Sequence, residues 1–405
     1  MPFWKHWLFL LGVIGNLAMS PAITTNQFVS NGSATYTFGE NISFSATFDA
    51  PEKIRQLLLY IEPEGQNVRI VNISGDFQDE IQIDYDLRTN PIPPFSNVRY
   101  WFQANLEDQS VLNSEHYEFN YFDNRFEWRE LNSDHFKIFW TSSDVVFGQM
   151  VLNVAELSLQ NIGNILLATQ DKPIVIFVYD NPDELQSALQ LAQASWSAAH
   201  ADPNLGVILV SKSVNDQQKM LFERQIPHEL MHIVEYQNIG DHGYQQQPQW
   251  LIEGLASYAE LYPNPEYKRV IENNIDNNSL IPLSNLCDTF PPDAETAYLA
   301  YAESESFVRY LIEQQGTSSI KALFQAYSDG STCAEGIQST YHQTLEELEN
   351  RWKIEVLGIS SLKLFWQNLN PYILLSFLIL IPPLIIGLLL IRKRPNKGIN
   401  HVKSK

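Results

Sequence analysis

Residues 228–232 read His228-Glu229-Leu230-Met231-His232, and this pentapeptide constrains the fold more than any other part of the chain. Imidazoles at i and i+4 share a face only where the segment is helical. On a helix the two can bind one Zn²⁺ at ~2.0–2.1 Å. Glu229 then projects beside them, where it can take a proton from an attacking water. A charged helix with two incidental histidines is the plain alternative, and a third ligand decides between site types.

Extending the pattern to HExxHxxGxxH fails, because Glu235 and Asn238 stand where Gly and His are needed. His242 reads as a loop histidine. Further on comes Trp250-Leu251-Ile252-Glu253-Gly254-Leu255-Ala256-Ser257-Tyr258-Ala259-Glu260. Glu253 can come off this second helix to complete a His₂Glu set with a fourth position left for water. Glu260 lies two turns along the same face, where it can accept a hydrogen bond from a ligand imidazole and fix its tautomer. Pro227 removes one intrahelical hydrogen bond just before the first ligand, so the helix starts or kinks there.

HELMH followed by WLIEGLASYAE resembles the gluzincin zinc peptidases of the MA clan, most of all the peptidase MA-like family of bacterial surface proteins, and more distantly aminopeptidase N and thermolysin. The resemblance spans about residues 130–357. It implies Zn²⁺ on His228, His232 and Glu253, Glu229 as general base and Glu260 behind a ligand. It also implies an edge strand that holds extended peptide, for which Gly206–Ser211 is the candidate. Relatives of the aminopeptidase N type supply a tyrosine to the oxyanion. Tyr301, opening Tyr301-Ala302-Glu303-Ser304-Glu305-Ser306-Phe307-Val308-Arg309-Tyr310-Leu311, matches that position, with Tyr298 in reserve. The amine-gripping Gly-x-Met-Glu-Asn segment of the aminopeptidases is missing from Gly206-Val207-Ile208-Leu209-Val210, which favours endopeptidase over aminopeptidase activity.

The rest of the chain predicts a multi-domain protein. Over residues 24–125, roughly seven short stretches rich in β-branched and aromatic residues are separated by turn chemistry such as Pro63-Glu64-Gly65. They predict an all-β immunoglobulin-like sandwich, a docking module for a protein or cell-wall partner. From 130 to 357 strands come first and helices afterwards, predicting an α+β zincin-like metallopeptidase domain. Cys287 and Cys333 are the two cysteines; a bridge would close a long loop and stabilise by about 2–4 kcal/mol, while two free thiols fit the sequence equally.

Both ends predict export and anchoring. Residues 1–22 read as a signal peptide cut after Ala22. After a linker over 358–370, residues 371–391 carry no charge, which predicts one transmembrane helix crossing the lipid bilayer. Residues 392–405 hold six Lys/Arg and no acid, a basic cytoplasmic tail under the positive-inside rule. The expectation is a single-pass cell-membrane protein with its body extracellular. The net charge of −21 excludes nucleic acid as a general partner. A membrane-anchored zinc metallopeptidase acting on peptide or protein substrates is the leading reading. A non-catalytic surface binding or scaffold protein, its zincin-like domain stapled by zinc, is the alternative.

Overall fold

The computed structural model describes residues 29–48, 54–74, 77, 79–142, 144–168, 172–191, 199–212 and 217–392. They divide into two compact units, one up to Phe122 and one from Asp123. The expected signal peptide over 1–22, and the basic tail beyond Arg392, lie outside the described residues.

The first unit is two antiparallel sheets. One has the order β1-β2-β5, from Val29–Thr37, Asn41–Phe48 and Glu80–Asp86. The other is β4-β3-β6-β7, from Arg69–Ile73, Ile54–Pro63, Asn97–Leu106 and Val111–Asn113, with β8 (Tyr117–Asn120) also paired to β6. Alternation sets the inward faces: Ile42, Phe44, Ala46 and Phe48 on β2, and Val98, Tyr100, Phe102 and Ala104 on β6, are all buried. Phe44 meets Tyr100 at 4.9 Å and Phe48 meets Phe102 at 5.9 Å between ring centroids, both edge-on, closing the sheets over one aromatic core.

The second unit is built on a five-stranded sheet of order β12-β13-β11-β10-β9, from Ala199–Asp202, Val207–Ser211, Ile174–Tyr179, Phe136–Trp140 and Arg129–Asn132. The three inner strands are parallel and the two edges antiparallel. Every residue of β13 is buried, as befits a strand covered on both faces. The expected peptide-holding strand is therefore interior, and the free edge on that side belongs to β12. Between and after the strands run α1 (Val145–Ile162), α2 (Pro182–Leu191), α3 (Gln218–Gln246), α4 (Gln249–Tyr258), α5 (Pro265–Asn277), α6 (Ala294–Gln315), α7 (Thr317–Ser328), α8 (Cys333–Tyr341), α9 (Leu345–Glu355) and α10 (Ser361–Arg392). Sequence-local caps start many of them: Asp144, Asn264 and Asp293 accept from first-turn amides, and Thr332/Glu335 and Thr344/Glu347 form capping boxes. Ile138, Ile176 and Ile208 of the sheet share one core with Phe222, Ile226 and Leu230 of α3, which seats that helix against the strands.

The C-terminal expectation is overturned. Among the described residues no helix is long and apolar enough to cross a membrane. The transmembrane helix over 371–391 and the single-pass location that rested on it fall together. α10 runs from Ser361 to Arg392 and takes up the polar Gln367, Asn368 and Asn370 ahead of a run that Pro382 and Pro383 interrupt.

Candidate metal centre

α3 carries the HELMH segment and runs straight through Pro227. A proline at 227 cannot donate to the carbonyl four residues earlier, so Glu223 is left with a free acceptor. The chain uses it: the amides of Leu261 and Tyr262 donate to the Glu223 carbonyl at 2.8 and 3.2 Å. These residues directly follow Glu260, so the missing bond in α3 becomes the anchor for the end of the second motif. The helix breaks instead at Gly240, whose φ of 68° is open to glycine at little cost.

Three ligand-type atoms converge. Glu253 Oε2 lies 3.3 Å from His228 Nε2 and 3.8 Å from His232 Nε2, and the three atoms all fall within 4.8 Å of one another. Donors at ~2.0–2.1 Å from a tetrahedral ion sit about 3.3–3.4 Å apart. Glu253 Oε2 is buried with no hydrogen-bond donor, and its other oxygen accepts from Gln249 Nε2 at 2.9 Å. A buried carboxylate oxygen left bare beside two imidazole nitrogens fits a divalent cation.

Behind these ligands, Glu260 Oε1 is 3.6 Å from His228 Nδ1, and Arg224 Nε is 3.5 Å from Glu260 Oε2. Burial pushes the His228 imidazole down, but the flanking carboxylates of Glu253 and Glu260 outweigh it and hold it well above its usual range. Burial brings His232 down to about 4, so its ring is neutral at pH 7 and able to ligate. Glu253 is pulled below its ordinary range, the two imidazoles overcoming the effect of burial. Glu229 is buried, and desolvation lifts it to about 7 against the opposing pull of His228; the Ala201 amide of β12 donates to it. That is the range a general base needs near neutral pH.

The tyrosines separate clearly. Tyr298 accepts a 2.6 Å hydrogen bond from Asn264 Nδ2. Tyr301 has its ring centroid 6.2 Å from that of His228, braced edge-on by Phe290 at 5.0 Å. Burial, then the charges of Glu253 and Glu229, raise its hydroxyl, which keeps it protonated as a donor. His242 is exposed and is not part of the ligand group. Cys287 and Cys333 form a disulfide, with S–S 2.07 Å and Cα–Cα 6.0 Å.

Sequence reasoning passed over Gln249, although its place one turn before Glu253 is the signal for an i, i+4 side-chain contact. It also passed over Glu235, which continues the ligand face at i+3 from His232 and is fully buried with neither oxygen hydrogen-bonded. Desolvation, then the Glu253 charge, push that carboxyl well above its ordinary range.

The description of the Peptidase MA superfamily matches residues 155–358, half of the chain. The chain belongs to the peptidase MA superfamily. No curated protein matches it. Among solved structures, an aminopeptidase N family protein from Idiomarina loihiensis is 10% identical, with a TM-score of 0.35, over 82% of this chain and 73% of its own. A polysaccharide deacetylase from Bacillus cereus is 8% identical, with a TM-score of 0.21, over 48% of this chain and 65% of its own. A structure described as that of a myokine is 10% identical, with a TM-score of 0.20, over 24% of this chain and 96% of its own. These are loose likenesses, and membership of the superfamily rests on the 155–358 match.

Proposed function

We propose that this peptidase MA superfamily chain is a zinc-dependent peptidase that hydrolyses internal peptide bonds. The observation that carries the reading is the convergence of His228 Nε2, His232 Nε2 and Glu253 Oε2 next to the buried Glu229. Zinc, when bound, supplies a Lewis acid that polarises the scissile carbonyl and acidifies water. Glu229 removes the proton from the attacking water as its oxygen adds to the carbonyl carbon, and returns that proton to the amine when the C–N bond breaks. Tyr301 donates its hydroxyl proton in a hydrogen bond to the oxyanion. Glu260 orients His228 and Gln249 orients Glu253.

Peptide lies along the β12 edge, whose Ala201 amide already reaches Glu229. The one acid of β12, Asp202, accepts from the Leu205 amide at 3.0 Å, so it is committed to a turn rather than to a substrate amine. This supports endopeptidase over aminopeptidase activity. The test is a peptide-library digest with wild type and Glu229→Gln, each assayed for zinc. The reading predicts chelator-sensitive internal cleavage that falls about 10²–10⁴-fold in Glu229→Gln with zinc retained. Zinc bound by both proteins with no cleavage by wild type would refute it in favour of a binding or scaffold protein.

A further inference from the structure

The disulfide sits directly against the first turn of the helix that carries the third ligand. α4 opens without a side-chain cap, its N-cap position being Pro248. Its exposed first-turn donors need another acceptor. The Cys287 carbonyl provides one, accepting from the Gln249 amide at 2.9 Å. The other half-cystine touches the next residue: the Trp250 indole Nε1 lies 3.4 Å from Cys333 Sγ. Trp250 is fully buried and packs edge-on against Phe307 at 5.2 Å, so this contact is held from both sides.

From that turn the line runs to the site in one step. Gln249, whose backbone is held by Cys287, uses its side chain to donate to Glu253 Oε1 at 2.9 Å. With Oε1 so fixed, Oε2 is the oxygen that faces His228 and His232. Gln249 and Cys287 are 38 residues apart along the chain, so the bond between them is a tertiary one that ties the first turn of α4 to the segment after the short Leu283–Leu286 turn. Both half-cystines are only partly buried, which leaves the bond open to a reductant.

We infer that the Cys287–Cys333 disulfide, acting through Gln249, is a positioning device for Glu253, so that cation binding at this centre depends on the redox state of a bond outside it. The inference rests on the metal-centre reading above. Reduction by an external thiol or phosphine adds two electrons and two protons, converting the S–S bond into two thiols and freeing the loop that carries the Cys287 carbonyl. Gln249 then loses its backbone anchor and Glu253 the hydrogen bond that selects its ligating oxygen.

The experiment measures zinc affinity of the full chain by competition with a chromophoric chelator. It uses oxidised wild type, phosphine-reduced wild type, the Cys287→Ser/Cys333→Ser pair, Gln249→Met, and the three changes combined. Near-UV circular dichroism reports folding, and the visible spectrum of the cobalt-substituted protein reports ligand geometry. Affinity falls about 10–100-fold on reduction, in the serine pair and in Gln249→Met, and the cobalt bands shift in each. Because both changes act on one ligand, the combined variant loses no more than the larger single effect. Unchanged affinity and cobalt spectrum on reduction, with the fold intact, overturn the inference. Where the serine pair does not fold, Gln249→Met decides alone, and wild-type affinity there overturns it too. An oxidised wild type that binds no zinc refutes the metal-centre reading itself, a result distinct from equal binding in both redox states.

Discussion

Gly254 stands beside the third ligand, and replacing it with alanine separates two opposed effects. In a helix interior Gly→Ala is ordinarily stabilising by roughly 0.5–1 kcal/mol, because glycine has more backbone entropy to lose. Here the added Cβ would lie 2.7 Å from the Ser304 carbonyl oxygen, 2.9 Å from its carbon and 2.6 Å from Val308 Cγ2 on α6. The first two are backbone, and Val308 is fully buried and stiff at χ1, so none of the three can swing aside. To reach ordinary contact α4 must back away from α6 by roughly 0.7 Å. Overpacking of this kind costs about 1–3 kcal/mol, which outweighs the helix-propensity gain. Glu253, one residue away, moves with the helix, a large displacement on the scale of a metal–ligand bond. The assay is thermal unfolding of the metal-free protein beside zinc competition. We expect a lowered midpoint and zinc affinity reduced about tenfold. A variant at least as stable as wild type with unchanged affinity would refute the close-packing argument and the coupling of α4–α6 packing to the ligand.

Two further outcomes are expected. Tyr301→Phe should keep its zinc while peptide hydrolysis falls about 10²–10³-fold, as removal of one oxyanion donor does; full activity would return Tyr301 to a packing role. Glu303 is fully buried on α6, where desolvation lifts its carboxyl to about 8 against the pull of the Ile281 amide and Lys353. Its folded value lies above its ordinary value of 4.5, so the native state binds the extra proton. Its contribution to stability is then fully present below 4.5 and falls by a few kcal/mol as pH rises through the window from 4.5 to 8. Denaturant titrations at both ends of that window should show the loss in wild type and much less of it in Glu303→Gln; equal slopes would contradict the assignment.

The parts of the fold legible in the sequence are those with strong local chemistry. β11 reads as an unbroken β-branched and aromatic run, α2 opens at Asn181-Pro182, and HELMH and Glu253 fall on two helices as their spacing implies, whereas Glu260, expected two turns along the second, lies just past its end at Tyr258. What stayed hidden depends on tertiary partners. β12 is four residues, Ala199-His200-Ala201-Asp202, too short and with no β-branched or large apolar residue to announce it, whereas the apolar β13 that it covers stands out. Pro227 signalled a break in α3, but the bonds that absorb it come from Leu261 and Tyr262, 38 and 39 residues beyond Glu223. The backbone bond from the Gln249 amide to the Cys287 carbonyl joins residues 38 apart, and no local pattern announces it. Over 371–391 the absence of charge points to a transmembrane helix, whereas no helix among the described residues is long and apolar enough to cross a membrane.

The central claim is a His₂Glu cation site, and the most direct test is elemental analysis of the purified chain for wild type and Glu253→Ala. About one zinc per wild-type chain is expected, as a single His₂Glu site holds, and its loss when Glu253 is removed. Absence of stoichiometric metal in wild type, or equal zinc in both proteins, would contradict it.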